Sequence, residues 1–424
     1  MSKIRHVLGR ASEAIGLSYL SIDFLNFTKA HSLLSFGTNL SNVFVTTFIL
    51  RSGGTMFNVS LYILFTYAFE TLANLTVPSV SNHLRRGVIT RLGLIFFSMM
   101  YVVLLLTRDA MHLMYPMVAF WLGIGGAYYY SAYINNVSAY TTPHNRQMGL
   151  SLMGMTGNLI AIVAPLISGG ITSQLAGTWG YVVVFSLTLL AFLLSLLKSR
   201  SLPSAPAVNR GYSILRLLRR CREEAAARWI LTGCVFFGLR ESLFLFYLNI
   251  LLFQMVGSEM AVGAVTTAKG LAAMGMFLVL GKRLTPRFRV NGPVYLFGIM
   301  LIMSVGLAVS MELSSTLAIV MVVVVSIADN TMYAFNMNSL QGTLYGVMEY
   351  FGRKWPGEDA RVELSSALNA AFNGGRALGM VLFFLMPFPE GSAIPLIIVT
   401  ALAFPSVLLN KRADTLLRKL EQSS

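Results

Sequence analysis

The chain has 424 residues, of which 55% are hydrophobic and only 12% are charged, and its mean hydropathy is +0.68. An ordinary soluble domain carries roughly a quarter of charged residues, and a disordered chain is far less apolar. The composition therefore excludes a soluble globular, fibrous or solenoid protein and indicates an integral membrane protein. The formal net charge of +15 fits either nucleic-acid binding or basic cytoplasmic loops.

Twelve segments are apolar enough to predict helices that cross a membrane, since a spanning helix needs about 20 mostly apolar residues. In chain order they are 31–51, 56–78, 92–107, 111–133, 148–171, 179–197, 229–253, 260–281, 293–311, 315–338, 364–386 and 394–409. The longest non-apolar stretch separates the sixth span from the seventh. We therefore predict an all-α membrane protein with a six-helix bundle at 1–197, a basic cytoplasmic linker at 198–228 and a second six-helix bundle at 229–424.

The distribution of Lys and Arg predicts the topology. With the N-terminus inside, 26 of these residues fall in cytoplasmic segments and two, Arg51 and Arg108, in outside loops. Cytoplasmic loops of membrane proteins carry such an excess of positive charge, so we expect both termini and the linker to be cytoplasmic. The charges occupy seven separate segments, which argues against a nucleic-acid partner. Residues 1–13 lack the apolar core of a signal peptide and are expected to lie on the cytoplasmic surface.

A weak internal repeat relates the two halves at an offset near 200 residues. The basic pair 85–86 after the second span corresponds to 282–283 after the eighth, and Tyr133 in the fourth span corresponds to Tyr333 in the tenth. Any one match is weak among apolar helices. Together with the loop charges and the position of the linker, the matches favour two six-helix halves.

This layout resembles the major facilitator superfamily over essentially the whole chain. Residues 157–170 (GNLIAIVAPLISGG) are similar to the glycine- and proline-containing antiporter motif of that superfamily, although Ala164 and Ser168 replace glycines that are usual there. Residues 237–244 (FGLRESLF) resemble a poorly characterised bacterial permease branch. The resemblance implies a bacterial plasma-membrane protein in which spans 1, 4, 7 and 10 line a central cavity and spans 2, 5, 8 and 11 flank it.

The loop 82–87 (NHLRRG) lies where the superfamily has its gating loop, but it lacks the acidic residue of that loop. An acid-centred latch in this half is therefore not expected. The gating candidates are the basic residues of this loop and of its repeat, namely Arg85, Arg86, Lys282 and Arg283.

Six ionisable residues fall within the predicted spans, namely Glu70, Arg240, Glu241, Lys269, Asp329 and Arg376. An ionisable group at the bilayer centre costs at least about 2.5–3.5 kcal/mol, so such residues face the bundle interior or a wet cavity. All six lie on spans 2, 7, 8, 10 and 11, which the resemblance places at the cavity. Because there are three acids and three bases, fixed ion pairs are an equally good interpretation of any one of them.

Polar side chains recur at helical spacing beside these charges. Asp329, Tyr333 and Asn336 share one face of the tenth span, and Asn373 and Arg376 share one face of the eleventh. These residues join the candidates for substrate binding or ion coupling. Among the acids we expect Asp329 to carry a coupling proton first, Glu241 second and Glu70 third.

The leading hypothesis is secondary transport of a small organic solute by alternating access, coupled to protons rather than sodium. The alternative is lipid or glycolipid translocation, in which Arg240, Lys269 and Arg376 would hold an anionic headgroup. No phosphate-binding G-x-x-x-x-G-K-[ST] motif occurs, which argues against an ATP-driven pump in this chain.

The sequence predicts neither an enzyme nor a cofactor or metal site. Its five histidines form no ligand cluster, no H-E-x-x-H or G-x-S-x-G motif occurs, and the two cysteines suggest no disulfide framework. The expected partners are the solute or lipid, the coupling ion and the bilayer, with the chain acting as a monomer.

Overall fold

The computed structural model describes residues 19–423 apart from 176–177, 204–210, 257–258, 284–285, 356–359 and 386–391. Over these residues the chain contains thirteen α-helices, one 3-10 turn and no strand. The helices are α1 (Ile22–Arg51), α2 (Met56–Ser81), α3 (Arg86–Thr107), α4 (Met111–Tyr140), α5 (Arg146–Gln174), α6 (Trp179–Ser199), α7 (Ile214–Glu223), α8 (Ala225–Val256), α9 (Glu259–Arg283), α10 (Pro286–Leu313), α11 (Ser315–Lys354), α12 (Arg361–Leu385) and α13 (Ile394–Ser423).

Helix length and composition confirm an all-α membrane fold. Twelve of the described helices have 21 to 40 residues, whereas α7 has 10. Nine helices in the described part are long and apolar enough to cross a membrane. The number of spans stays a prediction of twelve, with α1–α6 as spans one to six and α8–α13 as spans seven to twelve. The expected surface segment 1–13 lies outside the described residues.

Several helices continue beyond the apolar segments that predict them. The tenth span was expected to end at residue 338, but α11 continues to Lys354. The extension is not uniformly apolar, so a search for apolar runs ends too early, yet it buries Leu344, Tyr345, Val347 and Phe351 on one side. At about 1.5 Å per residue, α11 is about 60 Å long and projects well beyond a bilayer core of about 30 Å.

Over the described residues, the two halves pack mainly along four helix pairs. Within the first half α1 packs on α5 and α6, and α4 packs on α2 and α3. Within the second half α8 packs on α12 and α13, and α11 on α9 and α10. Between the halves α2 and α4 pack on α12, and α5 packs on α9 and α11. The residues that face one another between the halves are therefore those of α2, α4, α5, α9, α11 and α12.

Glycines allow α8 and α12 to touch backbone to backbone beside the buried charges. A Cβ atom at Gly238 would lie 2.0 Å from the carbonyl oxygen of Phe372, and one at Gly375 would lie 2.1 Å from that of Val235. No larger side chain fits at either position. This contact holds Arg240 and Arg376 on closely packed neighbouring helices.

The described part of the linker, residues 198–203 and 211–228, lies at the end of the molecule where α6 ends and α8 begins, which we call the linker face. Asn82 at the end of α2 exchanges two hydrogen bonds with the backbone of Tyr212, at 2.7 and 3.0 Å. Glu363 on α12 accepts hydrogen bonds from Arg216 at 2.8 and 3.0 Å and from the backbone of Ser213 at 2.7 Å. The linker thus bridges the two halves at this face.

Candidate functional site

The first of two buried ion pairs joins α8 to α11. Arg240 pairs with Asp329, with 2.5 Å between Nη2 and Oδ1, and the side chains are 1% and 2% exposed. A buried charge is tolerated only when it is paired and hydrogen-bonded. Loss of either partner would leave the other charge buried without compensation, and the acid ranked first as the coupling group is here paired with an arginine.

An aromatic ring and a lysine border this first pair. The guanidinium of Arg240 lies 4.0 Å from the ring centroid of Phe244, within the range of a cation–π contact. Lys269 is 9% exposed, and its backbone carbonyl accepts a hydrogen bond from the Asn330 amide at 2.9 Å. The Lys269 ammonium forms no ion pair within the described residues, so this cluster has one excess positive charge.

The second ion pair joins α8 to α12. Arg376 donates to both carboxylate oxygens of Glu241, with 2.8 Å from Nη2 to Oε1. Its Nη1 donates to Asn373 at 3.1 Å. The guanidinium lies 5.1 Å from the ring centroid of Tyr67 and 4.2 Å from that of Phe372. Arg376 is therefore the point at which an N-terminal helix, α2, contacts the charges of the second half.

Glu70 is the one membrane-region acid that has no ion pair among the described residues. It lies on α2 and is 8% exposed, with its carboxyl group against Gly126 of α4, where a Cβ atom would lie 2.8 Å from the carboxyl carbon. The charge of Arg376 and the amide of Asn373 lie nearby. Because Arg376 is already bound to Glu241, ionised Glu70 adds an unbalanced negative charge at this point.

A cavity of about 500 Å³ opens beside Glu70. Its wall is aromatic and hydroxyl-rich, and one residue of the second half, Ser242, contributes to it. The lining residues are Thr38, Val45, Thr46, Tyr62, Ile63, Thr66, Tyr67, Glu70, Phe97, Met100, Tyr101, Leu122, Gly126, Tyr130, Phe192 and Ser242. The volume and the mixture of rings with a few polar groups suit a small organic molecule.

The other two residues of the predicted α11 face do not reach this cavity. The ring of Tyr333 stacks on Phe237, with the centroids 5.9 Å apart. Asn336 borders a separate cavity of about 10 Å³ beside Ser406 and Asn410, and neither its amide nitrogen nor its amide oxygen has a hydrogen-bond partner within the described residues. Asp329 and Tyr333 both contact α8, whereas Asn336 borders a space lined by residues of α8, α10 and α13.

The predicted gating residues are only partly described. Arg85 is the residue that precedes α3, and the Arg86 guanidinium lies 5.3 Å from the ring centroid of Tyr140. The side chains of Lys282 and Arg283, at the end of α9, lie outside the described residues. The loop of the first half is held through Asn82 by the linker, which the sequence pattern does not indicate.

The closed linker face is formed by polar contacts between the halves that sequence reasoning missed. The ion pair Arg146–Glu349 joins α5 to α11 with 2.5 Å between Nη1 and Oε1. Further hydrogen bonds join Asn135 to Ser365 at 2.9 Å, Asn369 to Ser131 at 3.3 Å, Tyr345 to the Ile134 carbonyl at 3.4 Å, and Gln147 to Asn338. The sequence places most of these residues near the cytoplasmic ends of predicted spans, where polar residues are unremarkable. Asn369 has a signal, since it shares the helical spacing of Asn373 and Arg376, but its partner in the other half does not follow from that spacing.

His31 is a further polar residue that no pattern in the sequence singles out. Its Nδ1 atom lies 2.9 Å from the Tyr129 hydroxyl, and its ring centroid lies 4.8 Å from that of Tyr133. A lone histidine in an apolar segment carries no spacing signal. Its place among the tyrosines of α4 emerges only from the packing of α1 on α4.

The described side chains do not form a metal site. No group of three His, Cys, Asp or Glu residues comes together in the described part of the chain. The three carboxylates of the membrane region are divided among Arg240, Arg376 and the cavity wall. The site can therefore bind a molecule through rings, hydroxyl groups and one carboxyl group.

Comparison with known structures places this arrangement among transporters. The human organic anion transporter MFSD10 (TETRAN) superposes with a TM-score of 0.70 at 16% identity, covering 91% of this chain and 98% of that one. The E. coli fucose:proton symporter FucP gives a TM-score of 0.70 at 14% identity over 93% and 98% of the two chains. The proton:xylose symporter XylE gives 0.69 at 12% identity over 92% and 95%. At these identities the likeness is one of fold.

Sequence comparison gives uncharacterised relatives and one family. "Uncharacterized protein YqgE" of Bacillus subtilis (strain 168) is 26% identical over 263 residues, which are 62% of this chain and 59% of that protein. An uncharacterised protein in the sodM 3′ region of Geobacillus stearothermophilus is 24% identical over 170 residues, 40% of this chain and 79% of that protein. The profile of the Major Facilitator Superfamily matches residues 29–382. The chain is thus a membrane transporter rather than an enzyme, and it belongs to the Major Facilitator Superfamily.

Proposed function

We propose that this protein is a secondary active transporter that moves a small organic solute across the bacterial plasma membrane by alternating access, with Glu70 as the proton-coupling group. The observation that carries the proposal is the cavity of about 500 Å³ with one unpaired acid in its wall. The proposal keeps a single chain as the transport unit.

The position of the cavity supports alternating access. Its lining residues on α1 lie in the second half of that helix, and those on α2 lie in the first half except Glu70, so this part of the wall is away from the linker face. The linker face is closed by the Arg146–Glu349 pair and its neighbouring hydrogen bonds. With a cytoplasmic linker, this arrangement corresponds to a transporter closed on the cytoplasmic side. Transport then requires the contacts between the halves to break at that face.

Glu70 supports proton coupling because no cation near it is free to balance the negative charge of its carboxylate. Asp329 and Glu241, which the sequence ranks above it, each have an arginine partner. An unpaired carboxylate is costly away from water and is readily neutralised by a proton. Opening of the cavity to either side would let this proton exchange. The order of preference among the acids therefore becomes Glu70, Glu241 and Asp329.

The proteins of similar fold support coupling of transport to protons, but they do not indicate a substrate. Two of them are described as proton symporters of sugars, and another as an organic anion transporter. Proteins with one fold thus carry different solutes. Lipid translocation remains the second candidate. It has lost support because Arg240 and Arg376 are each neutralised by an acid. Of the three cations that would hold a headgroup, only Lys269 has no ion pair among the described residues.

A flux experiment on Glu70 tests the proposal. A library of small solutes is screened for stabilisation of the purified protein, and each hit is assayed in proteoliposomes with an inward pH gradient and internal pyranine. We expect a hit to accumulate and to acidify the lumen. E70Q should abolish accumulation and acidification while preserving solute exchange at equal pH, and the exposed-acid control Glu312→Gln should leave both unchanged.

Three results would contradict the proposal. Accumulation by E70Q that matches the unmodified protein would remove Glu70 from coupling. Accumulation that follows a sodium gradient without a pH change in the lumen would replace the proton. Scrambling of a fluorescent phospholipid by the unmodified protein, seen as dithionite quenching in vesicles without solute flux, would favour lipid translocation.

The proposed orientation is tested separately by labelling in intact cells. Arg219 on α7 and Glu312 at the end of α10 are both exposed and lie at opposite ends of the molecule. In a variant lacking native cysteines, an impermeant maleimide should label E312C and leave R219C unlabelled until the cells are lysed. The reverse pattern would invert the topology.

A further inference from the structure

A second cavity lies outside the transport site, between the start of α8 and the last turns of α13. It measures about 500 Å³ and is lined by Trp229, Leu408, Lys411, Arg412, Thr415, Leu416 and Lys419. We call it the basic groove. Three of its seven lining residues are cations and none is an acid, which distinguishes it from the cavity beside Glu70.

The groove is built from one face of α13. Residues 408, 411, 412, 415, 416 and 419 recur at spacings of three and four, so they form a single stripe along the helix. The acid of this segment, Asp414, lies on the other side and binds Arg418 at 2.6 Å. Lys411, Arg412 and Lys419 are exposed and have no ion pair among the described residues. The stripe thus presents three uncompensated positive charges.

The groove lies at the depth of lipid phosphates. Lys411 follows directly on the apolar segment 394–409, and Leu408 is 40% exposed on the membrane side of the groove. Trp229, near the start of α8, forms the wall opposite α13. Tryptophan concentrates at the boundary between hydrocarbon and headgroups. An acyl chain could follow Leu408 while its phosphate meets the cations.

We propose that the basic groove binds the headgroup phosphate of an anionic phospholipid in the linker-side leaflet. Basic loops on the cytoplasmic side need no particular arrangement to fix topology. Here the cations share one helical stripe along an open groove with a tryptophan wall, as basic pockets for anionic headgroups do. The proposal does not depend on transport, since it concerns a site on the outer side of α8 and α13.

Lipid titration of matched variants tests the groove. The purified protein in neutral detergent is titrated with phosphatidylglycerol or phosphatidylcholine, and bound lipid is counted by native mass spectrometry. The groove variant is K411Q/R412Q/K419Q. The control variant, R200Q/R219Q/R222Q, removes three exposed arginines from the same face and outside the groove. We expect phosphatidylglycerol affinity to fall about tenfold or more in the groove variant, and to stay within about twofold in the control.

Other outcomes would overturn the proposal. Equal losses in the two triple variants would show a diffuse charge effect, and equal binding of phosphatidylcholine would show no selectivity for an anion. Inorganic phosphate that competes at equal concentration would identify a free-anion site instead of a lipid site. If the triple variant cannot be purified, K419Q alone at the exposed end of the stripe should still weaken binding of phosphatidylglycerol, and an unchanged affinity would count against the groove.

Discussion

The two halves of this transporter share a helix layout but contribute different chemistry. The first half supplies all the residues that line the main cavity except Ser242. The second half carries five of the six charges of the membrane region, with Glu70 as the exception. The first half therefore provides space and aromatic surface, and the second provides charge that is mostly neutralised internally.

This difference shows where an unbalanced charge arises. In the second half, ion pairs neutralise both acids, and Lys269 is left with a positive charge. In the first half, the carboxyl group of Glu70 faces the cavity near Arg376. The unbalanced acid thus lies at the contact between the halves, α2 against α12, where relative motion of the halves would change its surroundings.

The largest effect in a test of this difference between the halves is expected when the acid of the Arg240–Asp329 pair is removed. D329L leaves Arg240 buried without its partner beside Lys269, so we expect a loss of about 3–5 kcal/mol in stability. The double variant R240L/D329L should recover most of it, because it removes both charges of the pair. Thermal unfolding, followed by size-exclusion chromatography in detergent, measures the stability of the single and the double variant.

The control for this prediction is S326A on the same helix. Ser326 is fully buried and its hydroxyl has no partner within the described residues, so its removal should cost little. A double variant as unstable as D329L would mean that the pair does not act as a structural unit, and Asp329 would again be the first choice for coupling.

The second largest effect is expected from E241Q. Without the Glu241 carboxylate, Arg376 is free to neutralise Glu70 across the interface between the halves. We expect proton-driven accumulation to fall more than about tenfold, with a stability loss of only about 1–2 kcal/mol, because Arg376 keeps a partner. Flux in pyranine-loaded vesicles and thermal unfolding measure the two effects. Normal accumulation would mean that Arg376 does not reach Glu70.

The sequence could predict the fold because the bilayer constrains it strongly. Apolar runs and loop charges depend on local composition, and they predict the helices, the linker and the two halves. The ends of α11 and α13 were missed because their extensions are stabilised by packing of mixed polar and apolar residues. A window of apolar residues cannot register such packing.

The candidate site could be predicted only as a set of residues. The six charges were identified because ionisable groups in a membrane are rare, but their partners depend on the rotation of each helix. Arg240 and Glu241 are adjacent in sequence, and yet they bind opposite neighbours, Asp329 on α11 and Arg376 on α12. Neither the gate pair Arg146–Glu349 nor the aromatic cavity wall has a local signal, so both required the structure.

A smaller effect is expected from the gate pair that joins the two halves. Glu349 is 38% exposed, so E349Q should weaken closure of the linker face by about 0.5–1 kcal/mol. This corresponds to a roughly twofold to fivefold lower ratio of molecules closed at that face to molecules open at it. Thr46 lines the cavity on the other side. Maleimide labelling of T46C should slow by at most that factor, because the rate follows the fraction of molecules in which the cavity is open on that side. E223Q, which changes an exposed acid of α7, should leave the rate unchanged, and equal slowing by both would indicate a general charge effect.

The smallest effect concerns how the linker is attached to the two halves. Cys221 on α7 is 5% exposed, and its burial raises the pKa of its thiol to about 11, against a small opposing effect of Arg228. At pH 8 only about a thousandth of such a thiol is ionised, compared with about a quarter for a free thiol of pKa about 8.5. Maleimide should therefore react slowly with Cys221, and the rate should rise about tenfold per pH unit up to the raised pKa.

Substitution of Arg216 then distinguishes attachment of α7 to the second half from its attachment to the first half. R216Q removes the hydrogen bonds from the Arg216 side chain to Glu363, whereas the bond from the Ser213 backbone to Glu363 and the bonds of Asn82 to Tyr212 remain. We expect Cys221 to be labelled several times faster in R216Q and at the original rate in R219Q, whose side chain is exposed on the same helix. If N82A raises the rate and R216Q does not, the linker helix is held by the first half, and the charge of the second half plays no part in its docking.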